Sequence, residues 1–231
     1  MHHLGSTTAK LLLLVCIALH GQVQAAGIKP LIIDSFVAAQ DLSAPFDQTV
    51  NTSGDDILGG TRTATTFSLD PNDRWTAANG VGTWSVVPGG FDANMNLRYD
   101  ANDVPLGLDL TALGLDSVAI EILSVSPGVS ASGPQFNINL TTLDGSSDDV
   151  RSTYTTGVLG PGVYVFDIAD LFTPQQRPVD ETQIDIISVQ ISGSPGQSIQ
   201  LGSIYFVPEP TSLALLGLGG LLITRRRRRI R

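Results

Sequence analysis

The sequence predicts an all-β protein, a single antiparallel β-sandwich of the jelly-roll type. The central part of the chain, residues 26–206, is rich in Gly, Ser, Thr, Asp and Val and poor in Lys and Glu, as strands and turns require. Short apolar or alternating runs recur there between turn clusters such as Pro88-Gly89-Gly90 and Asp144-Gly145. At about 180 residues, this part is long enough to bury one core.

Ten candidate strands follow one another along this part of the chain, each bounded by turn residues. Their number and spacing favour two stacked antiparallel sheets. They are Leu31–Ala38, Arg62–Leu69, Gly82–Val87, Asn94–Tyr99, Ser117–Ser126, Gln135–Thr141, Val150–Tyr154, Val163–Ile168, Ile184–Ser192 and Ser198–Val207.

The alternation in two of these runs predicts which side chains face the core. In residues 94–100, one set of side chains is predicted to face outward: Asn94, Asn96, Arg98 and Asp100. The other set is predicted to face the core: Met95, Leu97 and Tyr99. Ile184–Ser192 is apolar on most of both faces, which predicts a central strand.

The segments between the strands are predicted loops. Gln40–Gly60 is polar and long. Leu106–Leu115 and Ala169–Pro174 are expected to hold a helical turn, with Asp167 or Asp170 as a cap.

The C-terminal segment, residues 207–231, predicts a membrane anchor. Pro208-Glu209-Pro210 precedes an apolar stretch, Thr211–Thr224, and a run of arginines follows. The stretch has 14 residues, about 21 Å as a helix, against a hydrocarbon core of about 30 Å. It therefore predicts a short transmembrane helix. The arginines stay on the cytoplasmic side, so the body of the protein lies outside.

This order of parts resembles the PEP-CTERM sorting signal of exported bacterial proteins. The resemblance implies that Pro208, Glu209 and Pro210 are recognised by an exosortase-type membrane protease. It also implies transient anchoring in the inner membrane, then release to the cell surface or extracellular matrix, often beside exopolysaccharide. An ordinary membrane anchor is the alternative. The implied stop-transfer cluster is Arg225, Arg226, Arg227, Arg228 and Arg229.

The N-terminal segment, Met1–Ala25, predicts a signal peptide. Lys10 precedes an apolar core at Leu11–Leu19, and Val23-Gln24-Ala25 supplies the small residues that signal peptidase requires. Cleavage is expected after Ala25.

Removing both terminal segments changes the chemistry that remains. His2, His3, His20 and Cys16 all lie in the signal segment, so the body has no His, no Cys and no disulfide. Residues 26–207 carry six basic and 21 acidic residues, a net charge of −15. This charge disfavours binding to nucleic acid.

The body's residue types exclude several kinds of active site. Without His or Cys there can be no Ser-His-Asp triad, Cys-His pair or histidine zinc site. A carboxylate-based glycosidase stays open as a less favoured alternative. Glu121 and Glu181 are the body's only glutamates, and Glu121 fits an outward strand position. We predict no catalytic residue.

Two acidic loops are candidate structural calcium sites, because Ca²⁺ takes oxygen ligands. The favoured interpretation is ordinary turn chemistry, in which Asp side chains bond their own backbone. No other cofactor is predicted. The candidate ligands are Asp70, Asp73, Asp144, Asp148 and Asp149.

Aromatic and amide side chains give candidate sugar contacts, since an aromatic ring can stack on a pyranose. Trp75 lies in a polar stretch and is predicted to be exposed, whereas Trp84 alternates with Val86 and is predicted to be buried. The candidate contacts are Trp75, Asn94, Asn96 and Arg98.

The body also resembles a group of exported bacterial proteins that share this tail and an Ile-Leu-Gly-Gly-Thr-Arg segment, here Ile57–Arg62. They share a last strand of the type Ile199–Phe206 as well. The resemblance implies a jelly roll similar to carbohydrate-binding modules. Gly59 and Gly60 permit positive φ and would turn the chain into the strand that begins at Arg62.

These observations predict a non-catalytic surface or extracellular-matrix protein, associated with exopolysaccharide and sorted by its tail. A carbohydrate-binding module is the alternative. The expected partners are signal peptidase, an exosortase-type protease and exopolysaccharide.

Overall fold

The computed structural model describes residues 30–43, 48–126, 128, 134–143, 148–155, 160–171 and 180–208, with the side chains of 148–155 outside the description. All of these residues belong to one compact unit, Pro30–Glu209. The predicted segments Met1–Ala25 and Thr211–Thr224 and the arginine cluster lie outside the described residues. In the described part, no helix is long and apolar enough to cross a membrane.

The described part of the chain is built almost entirely from strands. A short helix, α1, spans Leu110–Leu113, and 3-10 turns occupy Leu58–Gly60 and Ile168–Asp170. The strands are β1 Leu31–Asp34, β2 Gln40–Ser43, β3 Thr49–Ser53, β4 Thr61–Phe67, β5 Arg74–Ala78, β6 Val81–Ser85, β7 Ala93–Asp100, β8 Leu115–Ser126, β9 Gln135–Leu143, β10 Asp148–Thr155, β11 Gly162–Asp167, β12 Ile186–Gly193 and β13 Ser198–Pro208.

The strands form two antiparallel sheets, which confirms the predicted all-β sandwich. One sheet has the order β11-β8-β13-β6-β5-β2, and β1 also pairs with β13. The other has the order β10-β9-β12-β7-β4-β3. Successive strands often change sheet, as in Greek-key sandwiches. The predicted central strand is confirmed, because β12 lies between β9 and β7.

Two details of the strand prediction are wrong. The segment Gln40–Gly60 is not a loop throughout, because it contains β2 and β3. In addition, β5 was not predicted. All three strands have four or five residues and few large apolar ones, so their alternation is too short to stand out.

The predicted helical turns are confirmed, and each begins at an aspartate cap. The Asp109 carboxylate accepts a hydrogen bond from the Ala112 N–H at the start of α1. The Asp167 carboxylate does the same for the Ala169 N–H at the second 3-10 turn. Each cap satisfies a backbone donor that has no partner within the helix.

The core lies between the two sheets. In the six-stranded sheet, the buried residues of β7 stand opposite those of β12 in register, for example Leu97 opposite Val189. In the other sheet, Trp84, Ile120 and Phe206 are buried. The inward residues of both sheets form a single cluster, so the sandwich has one continuous hydrophobic core.

One ion pair is buried inside this core. The Arg62 Nη1 donates to both carboxylate oxygens of Asp34, at 2.9 and 2.7 Å, and neither side chain is exposed. Arg62 also donates to Gln40 Oε1 and to the Ala38 carbonyl, each at 2.8 Å. Trp75 Nε1 shares Gln40 Oε1 at 2.9 Å. Each of the three guanidinium nitrogens therefore donates to an acceptor of the protein.

The same network perturbs two acidic groups. Burial raises the pKa of Asp34 above its usual value, and the attraction of Arg62 does not cancel that effect. Burial and the nearby Asp34 carboxylate raise the pKa of Tyr99 well above its usual range. The Tyr99 hydroxyl therefore stays protonated at neutral pH.

The Ile57–Arg62 segment delivers Arg62 into this network. Gly59 and Gly60 have φ values of 74° and 78°, which glycine adopts without strain. A Cβ at Gly59 would lie 3.0 Å from the Asp100 carbonyl oxygen, so the turn also needs the small residue. β4 then begins at Thr61 with Arg62 facing inward, opposite Tyr99.

Candidate functional site

The six-stranded sheet presents a polar surface on the side away from the core. We call it the outer polar face and define it by the outward side chains of β9, β12, β7, β4 and β3. Carboxamides and hydroxyls make up most of it, and Ile186, Leu143 and Phe67 are apolar side chains on the same side of the sheet. Its polar members include Gln135, Asn137, Asn139, Thr141, Ser188, Gln190, Ser192, Asn94, Asn96, Arg98, Thr63, Thr65, Thr49 and Asn51.

Strand register aligns these side chains in rows across the sheet. One row contains Asn137, Gln190 and Asn96, with Thr65 and Thr49 beyond them. The next row contains Asn139, Ser188, Arg98, Thr63 and Asn51. Neighbouring strands lie about 4.8 Å apart, so each row is a regular series of hydrogen-bonding groups.

The outer polar face carries little charge. Among its described side chains only Arg98 is ionic, and its Nη2 lies 2.8 Å from Asp100 Oδ2 and 3.7 Å from Asp103 Oδ1. Asp100, at the end of β7, is itself buried. Arg98 is thereby held and largely neutralised by its own neighbours.

Two polar atoms of the face are covered but have no hydrogen-bond partner among the described residues. They are Arg98 Nε, a donor, and Asn137 Oδ1, an acceptor. They stand on adjacent rows of β7 and β9. Toward the sheet edge, by contrast, the Thr49 and Thr65 hydroxyls bond to each other at 3.0 Å. The unsatisfied part of the face is therefore the region of β9, β12 and β7.

Two exposed aromatic rings lie on β4 and in the segment before β7, and neither was predicted from the sequence. Phe67 stands opposite Asn94 in the β4–β7 register and is 45% exposed. Phe91 precedes β7 and is 64% exposed. The signal that could have found Phe67 is the alternation of β4, where Ala64 and Thr66 face inward and the residue after them must face outward.

The predicted exposure of Trp75 is wrong. Its side chain is fully buried, packs edge-on against Phe36 and donates to Gln40. It belongs to β5. This strand was not recognised in the sequence, because polar residues surround its inward side chains. The predicted burial of Trp84 is confirmed. Asn94, Asn96 and Arg98 lie outward as predicted, and their contact with sugar stays a prediction.

The first candidate calcium loop is a hydrogen-bonded turn. The Asp73 carboxylate accepts from the Val87 N–H at 2.8 Å and from the Ser68 hydroxyl. Asp70 accepts from the Asn72 N–H at 2.9 Å. In the described residues, no group of three acidic side chains could hold a metal. Asp144 and the side chains of Asp148 and Asp149 lie outside the description, so that loop stays a prediction.

The two glutamates considered for glycoside hydrolysis occupy different elements. Glu121 is on the outer side of β8 in the seven-stranded sheet, and it accepts from the Ser203 hydroxyl at 3.1 Å. Glu181 lies in the turn before β12, where its carbonyl accepts from the Leu110 N–H at 2.8 Å.

The predicted sorting motif begins inside the sandwich. Pro208 is the last residue of β13 and stands opposite Leu115 of β8. Two residues earlier, Phe206 is fully buried and pairs on both sides, with Val118 and with Leu31. Glu209 and Pro210 lie outside the described residues.

Comparison with known proteins confirms that the C-terminal segment carries the predicted sorting signal. Residues 206–229 match the PEP-CTERM protein-sorting motif. The chain therefore carries the sorting signal that marks exported, exosortase-processed proteins. No curated protein matches the chain.

The solved structures to which the chain is similar include a carbohydrate-binding module and an agarase. One is a family 11 carbohydrate-binding module of a Clostridium thermocellum cellulosomal cellulase, with a TM-score of 0.40 and 12% identity over 80% of this chain and 98% of that one. Another is an exo-β-agarase, with a TM-score of 0.40 and 13% identity over 79% of this chain and 26% of that one. Scores this low add nothing to the fold, which rests on the strand pairing.

Proposed function

We propose that this is a non-catalytic protein of the cell surface or extracellular matrix, and that its sandwich binds polysaccharide through the outer polar face. The sorting motif supports delivery to the surface. The sandwich contributes the binding surface, and this favours the carbohydrate-binding alternative over a purely structural role.

The single observation that carries the proposal is the composition of the outer polar face. Water would solvate Asp or Lys at these positions as well as Asn or Gln. The body has 21 acidic residues, yet Arg98 is the one charged side chain among the described outward positions of β9, β12 and β7, and most of the others are carboxamides and hydroxyls. A carboxamide offers both donors and an acceptor to the hydroxyls of a sugar.

The unsatisfied atoms locate the centre of the proposed site. Arg98 Nε and Asn137 Oδ1 need a donor–acceptor partner, and both belong to the region of β9, β12 and β7. Gln190 of β12 stands between their strands, beside Asn96. Phe67, opposite Asn94, supplies apolar surface at its margin, against which the C–H face of a pyranose can pack.

The charge of the body favours an uncharged polymer. A net charge of −15 repels polyuronates and other anionic chains at low salt. The one cation of the described face, Arg98, is already engaged by Asp100 and Asp103. A neutral polysaccharide is not repelled by the negative charge and does not need a free cation on the face.

Affinity measurement on the exported protein tests this function. Neutral polysaccharides, such as mixed-linkage β-glucan, galactan and dextran, are compared with polygalacturonate and alginate by affinity electrophoresis and calorimetry. We expect binding to at least one neutral polymer. Asn96→Ala with Gln190→Ala should weaken it about ten- to thirtyfold, since each carboxamide contributes about 1 kcal/mol.

The matched control is Thr76→Ala, a half-buried outward position of the seven-stranded sheet. It should leave the affinity unchanged. Absence of binding to every polymer, or equal losses in the control and in the double variant, would contradict the proposed function.

A further inference from the structure

One edge of the seven-stranded sheet can accept a further strand. β11 is the last strand of this sheet, and among the described residues it pairs only with β8. Its six residues stand opposite β8 without a register shift, so the strand is regular from end to end. On its outer side, a strand of this kind presents backbone N–H and C=O groups with which another strand can pair.

The side chains of β11 leave this edge unprotected. Edge strands are usually protected by charged side chains, by proline, by a bulge or by their short length. From Gly162 to Phe166, β11 has no charged residue and no proline. Its outward residues Val163 and Val165 are 54% and 58% exposed. Apolar side chains exposed on a regular edge strand indicate a site of association.

The other strands at the sheet edges lack this combination of features. β1 and β2 have only four residues each, and β2 exposes the ion pair of Asp41 with Arg74. β3 exposes only hydroxyl and carboxamide side chains. β10 begins with two acidic residues and contains an arginine. Among the edges that the structure describes, β11 is therefore the one best suited to the addition of an apolar strand.

A second copy of β11 matches this edge. In an antiparallel pair, residues directly opposite each other have their side chains on the same face of the sheet. A two-fold axis at Tyr164 places Val163 of each copy opposite Val165 of the other, on the outer face. Two pairs of valines then cover each other. Asp167, the one acidic residue of β11, lies beyond the paired residues.

Other registers of the same strand fit less well. An axis between two residues would place outward side chains opposite inward ones. An axis at Val165 would place Val163 opposite Asp167, which sets an acid against an apolar side chain. An axis at Val163 would place Val165 opposite Pro161, which has no backbone N–H to donate. The register centred on Tyr164 avoids all three problems.

We propose that two copies of the exported protein associate through β11, by antiparallel pairing of residues 162–166 that joins their seven-stranded sheets. The paired segment is short, so the dimer is weak and forms as the protein concentration rises. The body's net charge of −15 opposes association, and salt screens that repulsion. The dimer therefore becomes more stable as the salt concentration rises, unlike a dimer held by ion pairs.

The dimer would bring together two copies of the proposed binding surface. The two-fold axis of an antiparallel strand pair is perpendicular to the sheet, so both copies turn the same face to the same side. The two outer polar faces then lie on one side of the dimer, where they can bind one polymer together and with higher apparent affinity. This consequence rests on the proposed function, whereas the dimer itself does not.

Analytical ultracentrifugation of the exported protein without polysaccharide tests the association. We expect the average mass to rise from monomer toward dimer with concentration, and more steeply at about 1 M salt than at about 0.1 M. Val165→Glu should raise the dissociation constant at least about tenfold, because the new carboxylate comes close to Glu121 of the second copy, which is the neighbour of Val163 on β8.

The matched control is Thr49→Glu, which adds the same charge to an exposed position of the edge strand β3. It should change the dissociation constant by less than about threefold. A monomer at every concentration up to about 1 mM would overturn the proposal. Equal weakening by the two variants would overturn it as well, since the effect would then come from net charge alone.

Disulfide cross-linking tests the register. Apart from Cys16 the chain has no cysteine, and opposite Cα atoms in an antiparallel pair lie about 4.5–5.5 Å apart, within the reach of a disulfide. Under oxidising conditions, a mixture of Val163→Cys and Val165→Cys proteins should give a cross-linked dimer that neither variant gives alone. No cross-linking in the mixture, or equal cross-linking of either variant by itself, would overturn the proposed pairing.

Discussion

Arg62 has no exposed side-chain surface, and its partner Asp34 is equally buried. Such a pair is costly to desolvate, and it persists because each guanidinium nitrogen and each carboxylate oxygen finds a partner. Gln40 has a double role, since its Oε1 accepts from both Arg62 and Trp75 while its Nε2 donates to the Val50 carbonyl. The pair thus links β1, β2, β4 and β5.

Breaking this pair should be severely destabilising. Arg62→Met leaves the Asp34 carboxylate buried without its cation, and we expect a loss of about 3–5 kcal/mol at neutral pH. Chemical denaturation of the exported protein measures it. The control is Arg74→Met, which breaks an exposed pair with Asp41 and should leave the unfolding midpoint almost unchanged. Similar shifts in the two variants would argue against the network.

Asp56 gives a pH-dependent prediction. Burial raises its pKa, but hydrogen bonds from the Val37 and Ala38 N–H groups and the Ser35 hydroxyl outweigh burial and leave the pKa below its usual value. A group whose folded pKa is lowered stabilises the fold above its unfolded pKa, about 3.9. That contribution is lost as pH falls through the folded pKa.

We therefore expect Asp56→Asn to lower the melting temperature at pH 6, with a difference from wild type that shrinks as pH falls below about 4. Melting curves recorded from pH 6 down to about pH 2 measure it. A difference that stays constant or grows at low pH would contradict the assignment.

The strands differ in how much of their structure could be predicted from sequence. β7 alternates over eight residues, and Asn94, Asn96 and Arg98 were predicted correctly to face outward, whereas Asp100, also predicted outward, is buried at the end of the strand. β5 has the sequence Arg-Trp-Thr-Ala-Ala, and its two inward residues do not make a recognisable run. Trp75 was consequently misplaced. The burial of Arg62 depends on contacts with distant residues, which local patterns cannot encode.

The outer polar face, too, could be predicted only in part from the sequence. β7 could be assigned alone, but the rows that bring Asn137 and Gln190 beside Asn96 depend on the register of three strands distant in sequence. Strand register is fixed by the inward apolar side chains and is only visible in the assembled sheet.

Packing between β5 and β6 gives a further prediction. A Cβ at Gly82 would lie 2.5 Å from the Trp75 ring and 3.1 Å from Phe36. Gly82→Ala should therefore cost about 1–3 kcal/mol through overpacking. Gly160→Ala is the matched control, because nothing lies within 4 Å of the added methyl group, and it should be neutral or slightly stabilising. Equal effects in denaturation experiments would refute this account of the packing.

The described chain begins and ends at the same end of the seven-stranded sheet, because Leu31, near its start, stands opposite Phe206, near its end. The outer polar face belongs to the other sheet. If the predicted terminal segments are removed during export, we expect the proposed binding surface to be unchanged.

Sorting should depend on the motif and not on the stability of the sandwich. Glu209→Ala with Pro210→Ala alters the motif beyond the last residue of β13, so the fold should be retained. We expect unprocessed protein to accumulate in the membrane fraction, whereas Thr76→Ala should be processed normally. Cell fractionation with mass analysis measures both. Normal release of the double variant would contradict the role assigned to the motif.

The outer polar face can be tested by following the side-chain carboxamide signals of the ¹⁵N-labelled exported protein by NMR during titration with a neutral polysaccharide that binds. The account predicts that the signals of Asn96, Asn137 and Gln190 shift with the titration, while those of Gln40 and Gln200 in the seven-stranded sheet stay in place. Shifts confined to Gln40 and Gln200, or no shift of any carboxamide at saturation, would contradict it.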